Sequence, residues 1–205
     1  MIFDLWNTLA DWPIEAWEKV RPQVAERLGL PLDEFEERWY GELGQVREMG
    51  PLADALARFE VGPDVVEEIA AMRQGVTRQG LAPTDGAVET LAELRRRGLK
   101  TGLISICTDD VPALWPETPF HGLFDTEVFS CSVGLRKPDP RIYLLACEQL
   151  DVDPHEALFV GDGDNDELAG AERVGMTAVL LERPGVERGW DGRRIRSLPE
   201  VLELL

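Results

Sequence analysis

Residues 157–181 read ALFVGDGDNDELAGAERVGMTAVLL. The stretch opens on a short apolar run, 157–160, of the kind a strand buried on both faces requires. A turn rich in acids follows, from Gly161 to Asp166. Helical spacing over 166–174 then ends at Gly175, a residue suited to a helix C-terminus. A second apolar strand is predicted at 177–181. Strand, helix and strand in so short a span make a crossover unit, and crossover units build parallel sheets with helices on both faces.

Moving outward, the alternation continues. A helix capped by Thr84 or Asp85 runs to Arg97, and Gly98 stops it. A strand is predicted at 100–106 and a short one at 125–131. Asp139 followed by Pro140 reads as an N-cap and a first-turn proline, opening a helix over 141–150. Residues 197–205 read as a short capped helix, and residues 1–5 as an opening strand. Between that strand and Gly80 the period changes. Trp17, Val20, Val24 and Leu28 recur at three- and four-residue steps, as do Phe35, Trp39 and Leu43, and Val65, Ile69, Met72 and Val76. Glycines and prolines at 29, 50–51 and 62–63 divide this segment into about four helices. The fold class expected is α/β: a Rossmann-like parallel-sheet core, residues 1–12 and 81–205, with an inserted α-helical subdomain at 13–80.

Composition narrows the function. The chain has 205 residues, 39 acids and 21 Lys plus Arg, a formal charge of −18, and 44% apolar residues. That apolar share can supply a core. Residues 13–80 hold 14 acids and 8 bases and the remainder 25 and 13, so the acidity is spread along the chain. Such a surface does not displace counterions from nucleic acid or dock on anionic lipid. No run reaches a membrane span, and the N-terminus lacks the pattern of a signal peptide. Cys107, Cys131 and Cys147 have no metal spacing and read as free thiols of a reducing cytoplasm.

Parallel sheets bind ligands beyond the carboxyl ends of their strands. Those ends carry Asp4, Ser105, Lys137 (in 134–140, GLRKPDP) and the acids after Val160, in that order. Only three lysines exist, Lys19, Lys100 and Lys137, and one stands among these acids.

This ordered set resembles the haloacid dehalogenase-like (HAD) hydrolase superfamily, over residues 1–12 and 81–182, with 13–80 resembling its small helical cap. The resemblance implies a Mg²⁺-dependent phosphatase acting on a small phosphorylated substrate. Asp4 would be the nucleophile, forming an aspartyl-phosphate. Thr8 would hold the loop after it, Ser105 would bind a phosphate oxygen, and Lys137 would neutralise nucleophile and phosphoryl group. Mg²⁺ would lie between Asp4, the Trp6 backbone carbonyl, Asp162 and a second acid. Asp166 suits a four-residue step from Asp162 and Glu167 a five-residue step; Glu167 is favoured. Asp164 reads as a helix-start acid.

One position departs from the family. Its phosphatases carry a second aspartate two residues after the nucleophile, a general acid and base; here Trp6 stands there, and an indole cannot shuttle protons. Asn7, where relatives have Gly, tolerates a left-handed turn. The departure keeps two alternatives open: a 2-haloacid dehalogenase-like hydrolase attacking carbon in a halogenated substrate, and a non-catalytic binding protein. For substrate contacts, Trp12, Trp17, Trp39 and Tyr40 read as core or as interface of the insert, and Arg21, Arg38 and Arg47 as candidate anion holders. Hinges are expected near residues 12–13 and 80–83.

Overall fold

The structure is a computed structural model describing residues 1–205, the Glu42 side chain excepted. Six parallel strands make one sheet in the order β3-β2-β1-β4-β5-β6. They are β1 (Ile2–Phe3), β2 (Gly102–Ser105), β3 (Thr126–Phe129), β4 (Leu158–Gly161), β5 (Thr177–Leu181) and β6 (Arg193–Ile195). β1 is central: Phe3 pairs with Leu103 on one side and Val160 on the other. The strand order reverses direction there, which opens a crevice at the carboxyl ends of β1 and β4.

Alternate residues face opposite layers. Ile2, Ile104, Val128, Phe159 and Ala178 join one buried cluster. Phe3, Leu103, Phe129, Val160 and Val179 join the other. Burial on both faces is why these strands read as continuous apolar runs. α6 (Ala87–Arg96), α9 (Pro140–Leu150) and α10 (Glu167–Arg173) are the expected crossover helices. Asp139 caps α9 as expected, accepting from the Arg141 amide at 2.9 Å.

The insert holds α1 (Ile14–Arg27), α2 (Leu32–Tyr40), α3 (Glu42–Glu48), α4 (Leu52–Leu56) and α5 (Pro63–Gly80). The helical period thus resolves into five helices and a 3-10 turn, Ala57–Phe59, with the division between α2 and α3 at Gly41. The segment has its own buried cluster, in which Trp17 stacks on Trp39 with centroids 5.6 Å apart.

Some expectations are corrected. α6 is capped by neither Thr84 nor Asp85: its N-cap is Gly86, at φ 77°. The Thr84 hydroxyl instead donates to the carbonyls of Thr8 and Leu9, joining the segment that follows the insert to the β1 loop. The C-terminal helix is a 3-10 run, Leu198–Glu203, and Ser197 bonds the Glu200 side chain rather than a helix amide. The sheet edge β6 and the short helix α7 (Asp110–Leu114) stand in stretches with no predicted element of their own, and the short helix α8 (Ser130–Val133) takes the last two residues of the strand expected over 125–131. Among the described residues no helix is long and apolar enough to cross a membrane.

The two links to the insert lie side by side. Ala10 bridges Pro83, and a Cβ built on Gly80 would lie 2.4 Å from Pro13 Cδ and 2.9 Å from the Asp11 carbonyl oxygen. Replacing Gly by Ala inside a helix ordinarily stabilises it, by up to about 1 kcal/mol. Here the sign should reverse, because overpacking costs about 1–3 kcal/mol. Gly80→Ala is expected to lower the unfolding midpoint in urea; an unchanged or raised midpoint would show that the links part freely.

Candidate active site

Asp4 leaves β1 with its amide bonded to the Val160 carbonyl at 2.9 Å, so its carboxylate emerges at the crevice. The Leu5 carbonyl accepts from the amides of Thr8, Leu9 and Ala10, tightening the loop. Asn7 takes the left-handed conformation expected of it, at φ 59°. Thr8, fully buried, donates through Oγ1 to Asp4 Oδ2 at 3.1 Å. Thr8 therefore fixes the carboxylate itself as well as the loop.

Lys137 is 2% exposed. Its ammonium donates to Asp4 Oδ1, to Glu167 Oε2 at 2.6 Å and to the Ile104 carbonyl at 3.1 Å. Burial pulls its pKa down, but the two carboxylates together raise it above the ordinary lysine value. Lys137 is thus held charged between Asp4 and Glu167.

Asp162 follows β4, accepts from the Asp164 amide at 3.1 Å, and lies 3.5 Å from the Arg188 guanidinium. Burial, then the neighbouring carboxylates, push its pKa up against the amide bond and Arg188. Glu167, the first residue of α10, turns back under the acid loop: Oε1 accepts from the Gly163 amide at 3.1 Å. Burial pushes its carboxyl up to about 8, against the pull of Lys137. Gly161 is required for this approach, since a Cβ there would lie 2.1 Å from Glu167 Oε1.

Asp4, Asp162 and Glu167 are buried, and each offers an oxygen within 4.8 Å of the others. Three hard oxygen donors opposed by Lys137 and the partly exposed Arg188 leave surplus negative charge, which suits a small divalent cation. Spacing left Asp166 and Glu167 as competitors, and the structure brings only Glu167 into the group. Asn165 and Asp166 are both left-handed, at φ 53° and 54°, and Asp166 is exposed. Asp164 is likewise exposed, at the rim.

A cavity of about 320 Å³ opens above the three acids. Trp6 lines it, edge-on to Trp12 with centroids 5.1 Å apart. Ser105 does not reach its wall: the hydroxyl is buried without a hydrogen-bond partner, and Ile106, Cys107 and Thr108 form the lining instead. Trp12, Trp17, Trp39 and Tyr40 all reach the wall, while Trp17 and Trp39 are also core. Of the candidate anion holders only Arg47 lines the cavity. Arg21 pairs with Glu36 at 3.0 Å, and Arg38 pairs with Glu34 and packs on Phe59. Arg73 was not singled out from sequence, although it lies four residues after Ile69 and three before Val76, on the buried stripe of α5.

A model of the haloacid dehalogenase-like hydrolases matches residues 1–175, and the parallel sheet with acids beyond its strand ends and a buried lysine among them agrees. The chain belongs to that family. It is 33% identical over 199 residues to a phosphatase of Mycobacterium tuberculosis (strain CDC 1551 / Oshkosh), a match covering 91% of this chain and 90% of that protein. It is 30% identical over 196 residues to a glyceraldehyde 3-phosphate phosphatase of Methanopyrus kandleri, covering 89% and 83%. Among solved structures, a 2-haloacid dehalogenase from Pseudomonas syringae pv. Tomato DC3000 superposes with a TM-score of 0.74 at 23% identity, covering 99% of this chain and 96% of that one. That last likeness is one of fold.

Proposed function

We propose that this chain is a Mg²⁺-dependent phosphatase of small phosphate esters that works through an aspartyl-phosphate on Asp4. The observation that carries the reading is the buried group of Asp4, Asp162 and Glu167 with Lys137 inside it. Asp4, oriented by Thr8, attacks phosphorus, the ester oxygen departs, and water later cleaves the acyl phosphate. Lys137 offsets charge on the nucleophile and on the transferring group. Asp4, Asp162 and Glu167, with the Trp6 carbonyl, would hold Mg²⁺, which when bound screens the anionic phosphoryl oxygens. Ser105 would meet a phosphate oxygen after a small movement of the β2 tip. The insert, residues 13–80, serves as the cap that encloses the substrate.

Trp6 shapes the substrate range. With no carboxyl to protonate the departing oxygen, rates should favour esters with leaving groups of low pKa. Loss of a general acid costs about 10²–10⁴-fold for the rest. An aromatic beside the nucleophile also suits attack on carbon, where halide leaves unprotonated; the three-acid group favours phosphorus.

The test is a panel of aryl and alkyl phosphates and 2-haloacids, with Mg²⁺ and with chelator. Phosphate release that needs Mg²⁺ is expected. Halide release without metal, or Mg²⁺ binding with no turnover, would overturn the reading.

Mg²⁺ should also stabilise the fold, by an amount that grows with the logarithm of its concentration over its dissociation constant. Glu167 and Asp162 bind protons more tightly than free carboxylates do, so acid competes with the metal. For Glu167 the sign is definite. Its raised pKa favours the metal-free fold below the ordinary 4.5, and that advantage is lost as pH rises through about 8. The Mg²⁺-induced rise in unfolding midpoint should therefore be larger near pH 8 than near pH 5. Scanning calorimetry with and without Mg²⁺ checks this, and equal rises would contradict it.

A further inference from the structure

The cavity wall also carries a group of arginines. Arg47 at the end of α3, Arg73 within α5 and Arg136 beside Lys137 all line it. Arg47 and Arg136 both pair with Glu48, at 3.1 and 3.4 Å, and Arg136 also reaches Asn165 Oδ1 at 3.4 Å. Arg73, 3% exposed, donates to Thr108 Oγ1 at 2.8 Å and lies 3.6 Å from Asp110. The three guanidiniums pair directly with two carboxylates, Glu48 and Asp110, and Asp109 also acts on Arg73. Asp110 is further engaged by the hydroxyls of Thr77 and Thr108.

The arginines are also incompletely bonded. The Nε–H groups of Arg47, Arg73 and Arg136 are buried and have no partner. Aromatic rings cover the guanidinium faces: Arg47 lies over Trp39 at 5.2 Å, and Arg73 over Trp17 at 5.0 Å and Trp12 at 5.3 Å. With faces stacked, the remaining donors point in the guanidinium plane, the direction in which arginine grips a planar oxyanion with two parallel hydrogen bonds. Burial pulls the pKa of Arg47 and of Arg73 down further than nearby acids restore it, so an added anion would relieve both.

We propose that the cavity is two-ended and that its substrate is a small phosphorylated carboxylic acid. The phosphoryl group sits at Asp4 and Lys137, and the carboxylate sits among Arg47, Arg73 and Arg136. The unpartnered Nε–H groups of the three arginines match the oxygens of one carboxylate, and the cavity volume limits the carbon chain between the two groups. This rests on the phosphatase reading for its phosphoryl end only. The arginine end follows from its own geometry.

Two measurements on the full chain with Mg²⁺ separate the two claims. The first compares kcat/KM for short phosphorylated hydroxy acids with that for alkyl phosphates of equal length. The best acid should exceed its alkyl partner on the order of tenfold or more, as expected for a charged hydrogen bond. Arg73→Gln and, independently, the more peripheral Arg47→Gln should collapse that ratio toward one, mainly through KM. The second uses the Asp4→Asn protein and calorimetry, with phosphonocarboxylates against alkyl phosphonates, and needs no turnover. Tighter binding of the phosphonocarboxylates, weakened by Arg47→Gln, would uphold the carboxylate end even if no phosphate ester were hydrolysed. Equal kcat/KM for acids and alkyl phosphates, with equal affinities in calorimetry, would overturn it and leave the phosphatase reading intact. Discrimination that survives both arginine substitutions would also overturn it.

Discussion

Asp4→Asn is expected to abolish turnover, by roughly 10³-fold or more, while leaving the metal-free protein at least as stable as the native one. The activity loss follows from the nucleophile: an amide oxygen does not attack phosphorus or carbon as a carboxylate does. The stability expectation follows from charge. Asp4 and Glu167 share Lys137, and Asp162, whose cation partner is the partly exposed Arg188, lies beside them, so neutralising one carboxylate removes repulsion among the three. Lys137 keeps its bonds to Glu167 and to the Ile104 carbonyl, so it is not left unpaired. Thr8 can donate to the new amide oxygen as it does to Oδ2. Steady-state rates and urea denaturation of the two proteins check both halves. Residual activity above a few per cent of native would place the attacking group elsewhere. A large fall in stability would mean that the Asp4–Lys137 pair outweighs repulsion among the acids.

That contrast explains how much of the site was legible in the sequence. Asp4 and Asp162 stand where strands end, and strand ends are announced by apolar runs that any α/β core must contain, while Lys137 lies in the loop between α8 and α9. The meeting of Asp4 and Asp162 is therefore a consequence of the sheet order, with β1 between β2 and β4. Thr8 was legible because it belongs to the same loop. The choice between Asp166 and Glu167 was not settled by spacing, because it depends on two consecutive left-handed residues that delay the start of α10. The boundaries of β1 fell short because Leu5 turns its carbonyl to three amides of the following loop instead of to a neighbouring strand.

The arginine end of the cavity was harder to read. Arg73 shares a helical face with Ile69 and Val76, so its position carries a signal, but periodicity counts apolar residues and passes over a buried cation among them. Its partners, Thr108 and Asp110, arrive from beyond β2, and no local pattern links them to α5. Long-range polar pairing of this kind is decided by how the insert docks. The same contacts make the docking specific: Thr77 bonds Asp110 at 2.5 Å, the Leu52 amide bonds Asp109 at 3.1 Å, and Ser130 bonds the Glu48 carbonyl at 2.6 Å.

Lys137→Met is expected to destabilise the metal-free fold by about 3–5 kcal/mol, the usual cost of removing one partner from a buried ion pair, and to remove activity. Methionine keeps much of the side-chain volume, so the loss is of charge and of three donated hydrogen bonds. Asp4 and Glu167 then face each other, and Asp162, with no buried cation among them. Glu167 already binds its proton up to about pH 8 because burial outweighs the pull of Lys137, and without that pull its pKa rises further. Protonation is therefore the way the variant relieves the site. The deficit relative to native should shrink as pH falls toward the ordinary carboxylate range and grow as pH rises. Adding Glu167→Gln to Lys137→Met should recover part of the stability toward high pH without recovering activity, since the amide stands in for the protonated acid at every pH but supplies no cation beside Asp4. Urea denaturation of the single and double variants near pH 5 and near pH 8 measures both trends. A deficit independent of pH, or no recovery in the double variant, would show that Lys137 acts through packing, and that something other than its charge holds the three acids together.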